Sequence, residues 1–225
     1  MRSCATVKLP QLSRLTPPLV IGWVSAAVSL FLFAGLAEEM RDGATRNFDT
    51  TIRTFVHAHS SDQFTAIMRA FSFIGSAVPV TVIATAACFA LWFFGHWRRA
   101  ILIAITAIGA TLLTWILKQS FHRARPQPFF DTRLPASYSF PSGHAFFAFC
   151  LCGASAALLS ANQPRRSVRI AIWTVALTIA GAIGYSRIYL GVHYPSDVLG
   201  GYLGALVWVL GVGIAYQSWR KAPRS

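Results

Sequence analysis

The chain has 225 residues, 55% of them hydrophobic and 12% charged, with a mean hydropathy of +0.52. A soluble globular domain carries about 25% charged residues, so an ordinary soluble fold is excluded and a membrane-spanning bundle is indicated. The formal net charge of +13 suits a nucleic-acid binder, but the placement of the charges points to another cause.

Six stretches free of Asp, Glu, Lys and Arg follow one another along the chain: Leu15–Ala37, Ala70–Trp97, Ala100–Leu117, Leu134–Pro164, Ile170–Ser186 and Val198–Trp219. A helix needs roughly 20 apolar residues to cross the hydrocarbon core. The runs lack the alternation of barrel strands. They predict spans at 15–37, 74–95, 100–119, 142–161, 170–187 and 197–217. The fourth run begins with a turn-rich segment, Leu134 to Pro141, that reads as loop. The first run follows Arg2, Lys8 and Arg14 and ends near Gly35-Leu36-Ala37, in the manner of a signal peptide. Its 23 residues exceed the apolar core of such a leader, and it is expected to be a retained span.

Between the first two spans, Phe48, Ile52, Phe55, Val56 and His59 fall at helical spacing, as do Phe64, Ile67, Met68 and Phe71. Two short amphipathic helices are expected there, either lying on the membrane surface or packed over the bundle. The fold expected is therefore all-α: one domain over residues 1–225, a six-transmembrane-helix bundle with short amphipathic helices on its outer face.

Orientation follows from the basic residues. With the N-terminus inside, the inner segments hold Arg2, Lys8, Arg14, Arg98, Arg99, Arg165, Arg166, Arg169, Arg220, Lys221 and Arg224, and no acidic residue. The outer segments hold the other 9 basic residues and all 7 acidic ones. This is the positive-inside asymmetry, and it accounts for the net charge without nucleic acid. Both termini are expected in the cytoplasm of a cytoplasmic-membrane protein. Cys4, Cys88, Cys150 and Cys152 have neither metal-ligand spacing nor a disulfide pattern, and read as small hydrophobes.

Three polar segments stand out against this background. The third span ends in Lys118-Gln-Ser-Phe-His-Arg-Ala-Arg125-Pro126, the fourth opens with Pro141-Ser142-Gly143-His144, and the fifth leads to the sixth through Ser186-Arg187 to His193 and Asp197. Alternating spans bring all three to the outer face. Arginine forks and a lysine suit a tetrahedral oxyanion, and helix N-terminal amides after Ser142 and Gly143 suit phosphate oxygens. Two histidines can divide nucleophile and acid roles. Pro195 fits the first position of the sixth helix, so Asp197 falls in its first turn, within reach of His193. Beyond Asp197 and Asp131 no acidic cluster offers a metal site, which favours metal-free chemistry with no cofactor.

These segments resemble the three motifs of the type 2 phosphatidic acid phosphatase family, Lys-x6-Arg-Pro, Pro-Ser-Gly-His and Ser-Arg-x5-His-x3-Asp, at all eleven specified positions. At about 5% usage per residue type a chance match is on the order of 10⁻¹⁴, so composition does not explain it. The resemblance covers 118–197 directly. It implies that His193 is the nucleophile forming a phosphohistidine, His144 the acid on the leaving oxygen and Asp197 the partner of His193. Lys118, Arg125, Ser142, Gly143 and Arg187 would cradle the phosphate. The implied substrate is a membrane lipid phosphate: undecaprenyl diphosphate first, with phosphatidic acid, phosphatidylglycerol phosphate and lipid A phosphates as alternatives. A lipid phosphotransferase using the same intermediate, and a non-catalytic transporter or lipid-binding protein, are the competing readings. Soluble vanadium haloperoxidases share the motifs but not six apolar spans. His57, His59, His96, His122, Arg123 and Arg133 match no motif and are expected at the surface.

Overall fold

The computed structural model describes residues 17–132 and 134–221. Arg2, Cys4, Lys8, Arg14, Arg133 and Arg224, all part of the sequence reading, lie outside the described residues.

Those residues form eight α-helices: α1 (Pro17–Arg41), α2 (Arg46–Ala58), α3 (Asp62–Ile74), α4 (Ala77–Phe93), α5 (Trp97–Phe121), α6 (Gly143–Ser160), α7 (Arg166–Tyr189) and α8 (Pro195–Lys221). Five of them, α1, α5, α6, α7 and α8, are long and apolar enough to cross a membrane. The chain is a multi-pass membrane protein. The second span differs from expectation. α4 has 17 residues, about 25 Å at the helical rise, and reaches the required length only together with α3, from which it is bent by 51° at a short break. Gly75 and Ser76 make that break, where the Ser76 hydroxyl donates to the carbonyl of Phe73 at 2.7 Å.

α1, α5 and α7 are longer than their charge-free runs because basic residues at their ends continue the helix: Arg41 closes α1, Arg98 and Arg99 open α5, and Arg166 and Arg169 open α7. Long cationic side chains can run along a helix while their heads stay in water. Large apolar side chains such as Phe31, Trp92, Ile108, Trp115 and Ile170 face outward, as a bundle solvated by lipid requires. α6 sits innermost, packed by α5, α7 and α8, and is buried through small residues, Ala145, Ala148, Cys150, Gly153, Ala154 and Ala156, that let its neighbours approach. α1 packs on α8 and α4 on α5. Ala37, at the possible leader cleavage point, lies inside α1 and packs in a buried cluster with Met40 and Phe140.

The amphipathic pair packs over the bundle. Val56 of α2 and Met68 of α3 are buried against Tyr189, Leu190 and Val192, while Phe48, Phe55, Phe64 and Ile67 are exposed. One face therefore covers the bundle and the other presents aromatic and aliphatic surface. Ser61 caps α3, its hydroxyl accepting from the Phe64 amide at 3.4 Å.

Candidate active site

Four helix termini converge at one end of the bundle. α5 stops when His122 turns left-handed at φ 48 as its C-cap, and the chain then runs as loop to Ser142, the extended N-cap of α6. α7 ends at Tyr189, and Gly191 at φ +73 reverses the chain. Pro195 opens α8, with Asp197 in its first turn. Lys118, Arg125, Ser142, Gly143, His144, Arg187, His193 and Asp197 all lie on these termini or the turns between them.

His193 is the best-defined member, 1% exposed. Its Nδ1 faces Asp197 Oδ2 at 3.2 Å, and its Nε2 faces an Arg125 N–H at 3.1 Å. A carboxylate only accepts, so Nδ1 carries the proton and Nε2 the lone pair. Burial pushes the His193 pKa down to about 3; Asp197 opposes that shift, while Arg125 and Lys118 add to it. The imidazole is therefore neutral at neutral pH, with its Nε2 lone pair accepting from Arg125.

Of the three motif cations, Arg125 stands beside that nitrogen. Arg125 also donates to the Val192 carbonyl at 3.0 Å and the Ser137 carbonyl at 2.7 Å, so its guanidinium is held in place beside Nε2. Burial lowers its pKa, without taking it out of the charged state at neutral pH. Lys118 donates to the carbonyls of Tyr138 and Ser139. Arg187 donates to the Ser72 hydroxyl on α3. Arg187 Nε and Ser142 Oγ are buried with no hydrogen-bond partner among the described residues. Unpaired buried polar atoms are costly, and both of these belong to residues at the converging helix termini. The Ser142 amide is committed, donating to the Asp197 carbonyl at 2.9 Å, so the free amides are those of the first turn of α6 that follows. His144 and Arg187 line one cavity of about 380 Å³, together with Ser72, Ser76 and Thr132. Across the α3–α4 elbow lies an apolar groove of about 630 Å³ lined by Ile74, Ile83, Leu151, Ile179 and Ile183.

A neutral buried histidine thus stands between a carboxylate and an arginine, with a second histidine in the first turn of α6. Known proteins resemble this chain over much of its length. Residues 99–221 match the family model described as the PAP2 superfamily. The chain is 32% identical to phosphatidylglycerophosphatase B of Bacillus subtilis over 189 residues, covering 81% of this chain and 91% of that one. It is 29% identical to an undecaprenyl-diphosphatase of Sulfolobus acidocaldarius over 147 residues, 63% of this chain and 61% of that one. Among solved structures, the first transmembrane PAP2 type phosphatidylglycerolphosphate phosphatase from Bacillus subtilis superimposes with a TM-score of 0.77 at 27% identity, covering 89% of this chain and 99% of that one. The chain belongs to the PAP2 superfamily. It is a membrane-embedded phosphoric ester hydrolase.

In this PAP2 phosphatase three side chains at the site had no part in the motifs. Arg123, expected at the surface, is instead a half-buried bridge: NH1 donates to Asp197 Oδ1 at 2.6 Å and NH2 to Asp49 Oδ2 at 2.7 Å. Its side chain turns inward because two buried carboxylates and the Tyr194 ring, 4.1 Å from its guanidinium carbon, receive it. Asp49 of α2 is 1% exposed. Ser139 donates to Asp197 Oδ2 through its hydroxyl and through its amide to the Arg123 carbonyl at 2.8 Å. Asp49 was legible in part, since it shares a helical stripe with Ile52 and Val56, and a carboxylate on an apolar stripe needs a buried partner. Nothing in the local sequence marks Arg123 or Ser139. His57, His59, His96 and His122 are exposed, as expected.

Proposed function

We propose that the enzyme dephosphorylates a membrane lipid phosphate or diphosphate, without metal, through a phosphohistidine formed at the extracytoplasmic face of a cytoplasmic membrane. His193 Nε2 attacks phosphorus, and the bond from phosphorus to the lipid oxygen breaks with its electron pair on that oxygen. His144 delivers the proton the oxygen needs. Water then attacks the phosphohistidine and gives its proton to His144. The N–P bond breaks, its electron pair returns to Nε2, and inorganic phosphate leaves. Asp197 holds the Nδ1 proton and stabilises the cationic ring. Lys118, Arg125 and Arg187 oppose the charge on the phosphoryl oxygens, with the Ser142 hydroxyl and the first-turn amides of α6 from Gly143 onward as donors.

The observation that carries this reading is the two-sided contact of His193, Nδ1 on Asp197 and Nε2 on Arg125. The lipid class is supported by the apolar groove beside the His144 cavity and by relatives named for phosphatidylglycerophosphate and undecaprenyl diphosphate. The extracytoplasmic side is supported by the basic residues concentrated at the opposite ends of the spans. Arg125 beside His193 Nε2 and the unpartnered Nε of Arg187 support a cradle of cations and amides.

The test is phosphate release by purified protein from undecaprenyl diphosphate, phosphatidylglycerol phosphate, phosphatidic acid and lipid A, with and without chelator. Turnover of at least one lipid, little changed by chelator and blocked by vanadate as a mimic of the five-coordinate transition state, is expected. A strict Mg²⁺ requirement, or hydrolysis confined to water-soluble esters, would overturn the reading.

A further inference from the structure

Asp197 uses its two oxygens for different neighbours. Oδ2 receives the Tyr194 amide at 2.9 Å, the Ser139 hydroxyl and His193 Nδ1. Oδ1 receives Arg123. Anchoring Oδ1 stops the carboxylate from rotating, so Oδ2 stays on the histidine. Arg123 is itself shared: NH1 also donates to the Ser196 hydroxyl at 2.7 Å, and NH2 reaches Asp49. Asp49 is committed to the same group. Its Oδ1 accepts the Ser196 amide at 2.9 Å and its Oδ2 accepts the Ser196 hydroxyl at 2.7 Å.

The charge count of this cluster bears on the chemistry. Arg123 paired with Asp197 alone would be neutral, and the carboxylate's support for positive charge on His193 would be largely offset. With two carboxylates on one guanidinium the cluster keeps one negative charge, in a buried setting where charges are weakly screened. Resting on the phosphohistidine reading above, we propose that Asp49 is a positioning residue for phosphoryl transfer. By sharing Arg123 with Asp197 it orients that carboxylate and preserves the negative charge that stabilises the phosphorylated, cationic His193 ring. A helix lying over the end of the bundle thereby becomes part of the catalytic apparatus.

Asp49→Asn keeps the shape and removes the charge. The expected result is a kcat lower by about 10–100-fold, by analogy with the loss of an outer partner behind a metal-ligating histidine, with KM little changed because Asp49 does not touch substrate. Two further variants separate this role from a merely structural one. Adding Arg123→Gln to Asp49→Asn returns the cluster to one negative charge, and kcat per folded molecule should rise above that of Asp49→Asn alone. In an Asp197→Asn background, Asp49→Asn should cost less kcat than it does in the wild-type enzyme, because the carboxylate it orients is already gone and only its charge remains to be lost. An unchanged kcat in Asp49→Asn, no recovery in the double variant, or an additive loss in the Asp197→Asn background would each overturn the proposal. If Asp49→Asn does not fold, the double variant measured against wild type carries the test: a kcat within about tenfold supports the charge count, and any larger loss overturns it. Failure of the wild-type enzyme to form an acid-labile phosphoenzyme would sink the phosphohistidine reading itself, an outcome distinct from any of these.

Discussion

His193 and His144 differ in what each ring nitrogen is given. His193 has its Nδ1 proton fixed by Asp197 and its Nε2 lone pair directed at Arg125, the requirements of a nucleophile. His144 lies in the first turn of α6 and lines the cavity shared with Arg187. Replacing His193 should abolish phosphoenzyme formation from every substrate, whatever its leaving group. Replacing His144 removes a proton donor worth roughly 10²–10⁴ in rate where the leaving oxygen is strongly basic. A lipid alkoxide needs that proton and a nitrophenolate hardly does. His144→Ala is therefore expected to lose turnover of alkyl phosphates yet still give a first burst of nitrophenol, with an acid-labile phosphoenzyme accumulating. Rapid-mixing kinetics would read the burst. Its loss to the same degree as in His193→Ala would refute this division of roles.

At the scale of elements, the turn joining α7 to α8 sets where His193 stands. Gly191 adopts φ +73, and a Cβ built on it would lie 2.6 Å from the backbone nitrogen of Phe129, which cannot yield because its amide donates to the Leu190 carbonyl at 2.9 Å. Gly191→Ala should cost about 1–3 kcal/mol in backbone strain and more through the clash, lowering both the melting temperature and kcat. Gly213 in α8 is the control, since a Cβ there meets nothing within 4 Å. Gly213→Ala should leave activity intact and hold or raise the melting temperature. Equal losses in both variants would show that the turn has no special hold on the site.

For the whole molecule, the alternation of spans places Asp131, at the mouth of the His144 cavity, and Gln163, between α6 and α7, at opposite ends. Both are exposed. In a background lacking the four native cysteines, Asp131→Cys is expected to react with an impermeant maleimide added to intact cells, and Gln163→Cys only after lysis. Labelling of Gln163→Cys alone would invert the orientation and put the site in the cytoplasm. The same alternation explains why so much was legible beforehand. Spans are announced by local composition, because lipid demands apolar length and internally satisfied backbone. Motif residues such as Lys118, His144 and His193 sit at span ends, where local spacing settles their position.

Local composition and spacing by themselves therefore determined the helical class, the approximate spans, the gathering of three motifs at one end and the phosphate chemistry of their side chains. They did not determine the second span, whose length depends on a 51° bend between α3 and α4. Nor did they reveal the support behind the histidine. Arg123 meets its carboxylates 74 positions away on either side, and Asp49 meets Ser196 across 147 residues. Only the tertiary structure decided those contacts. A charged side chain is buried when folding supplies its partners, and partners that distant leave no periodicity or spacing in the chain.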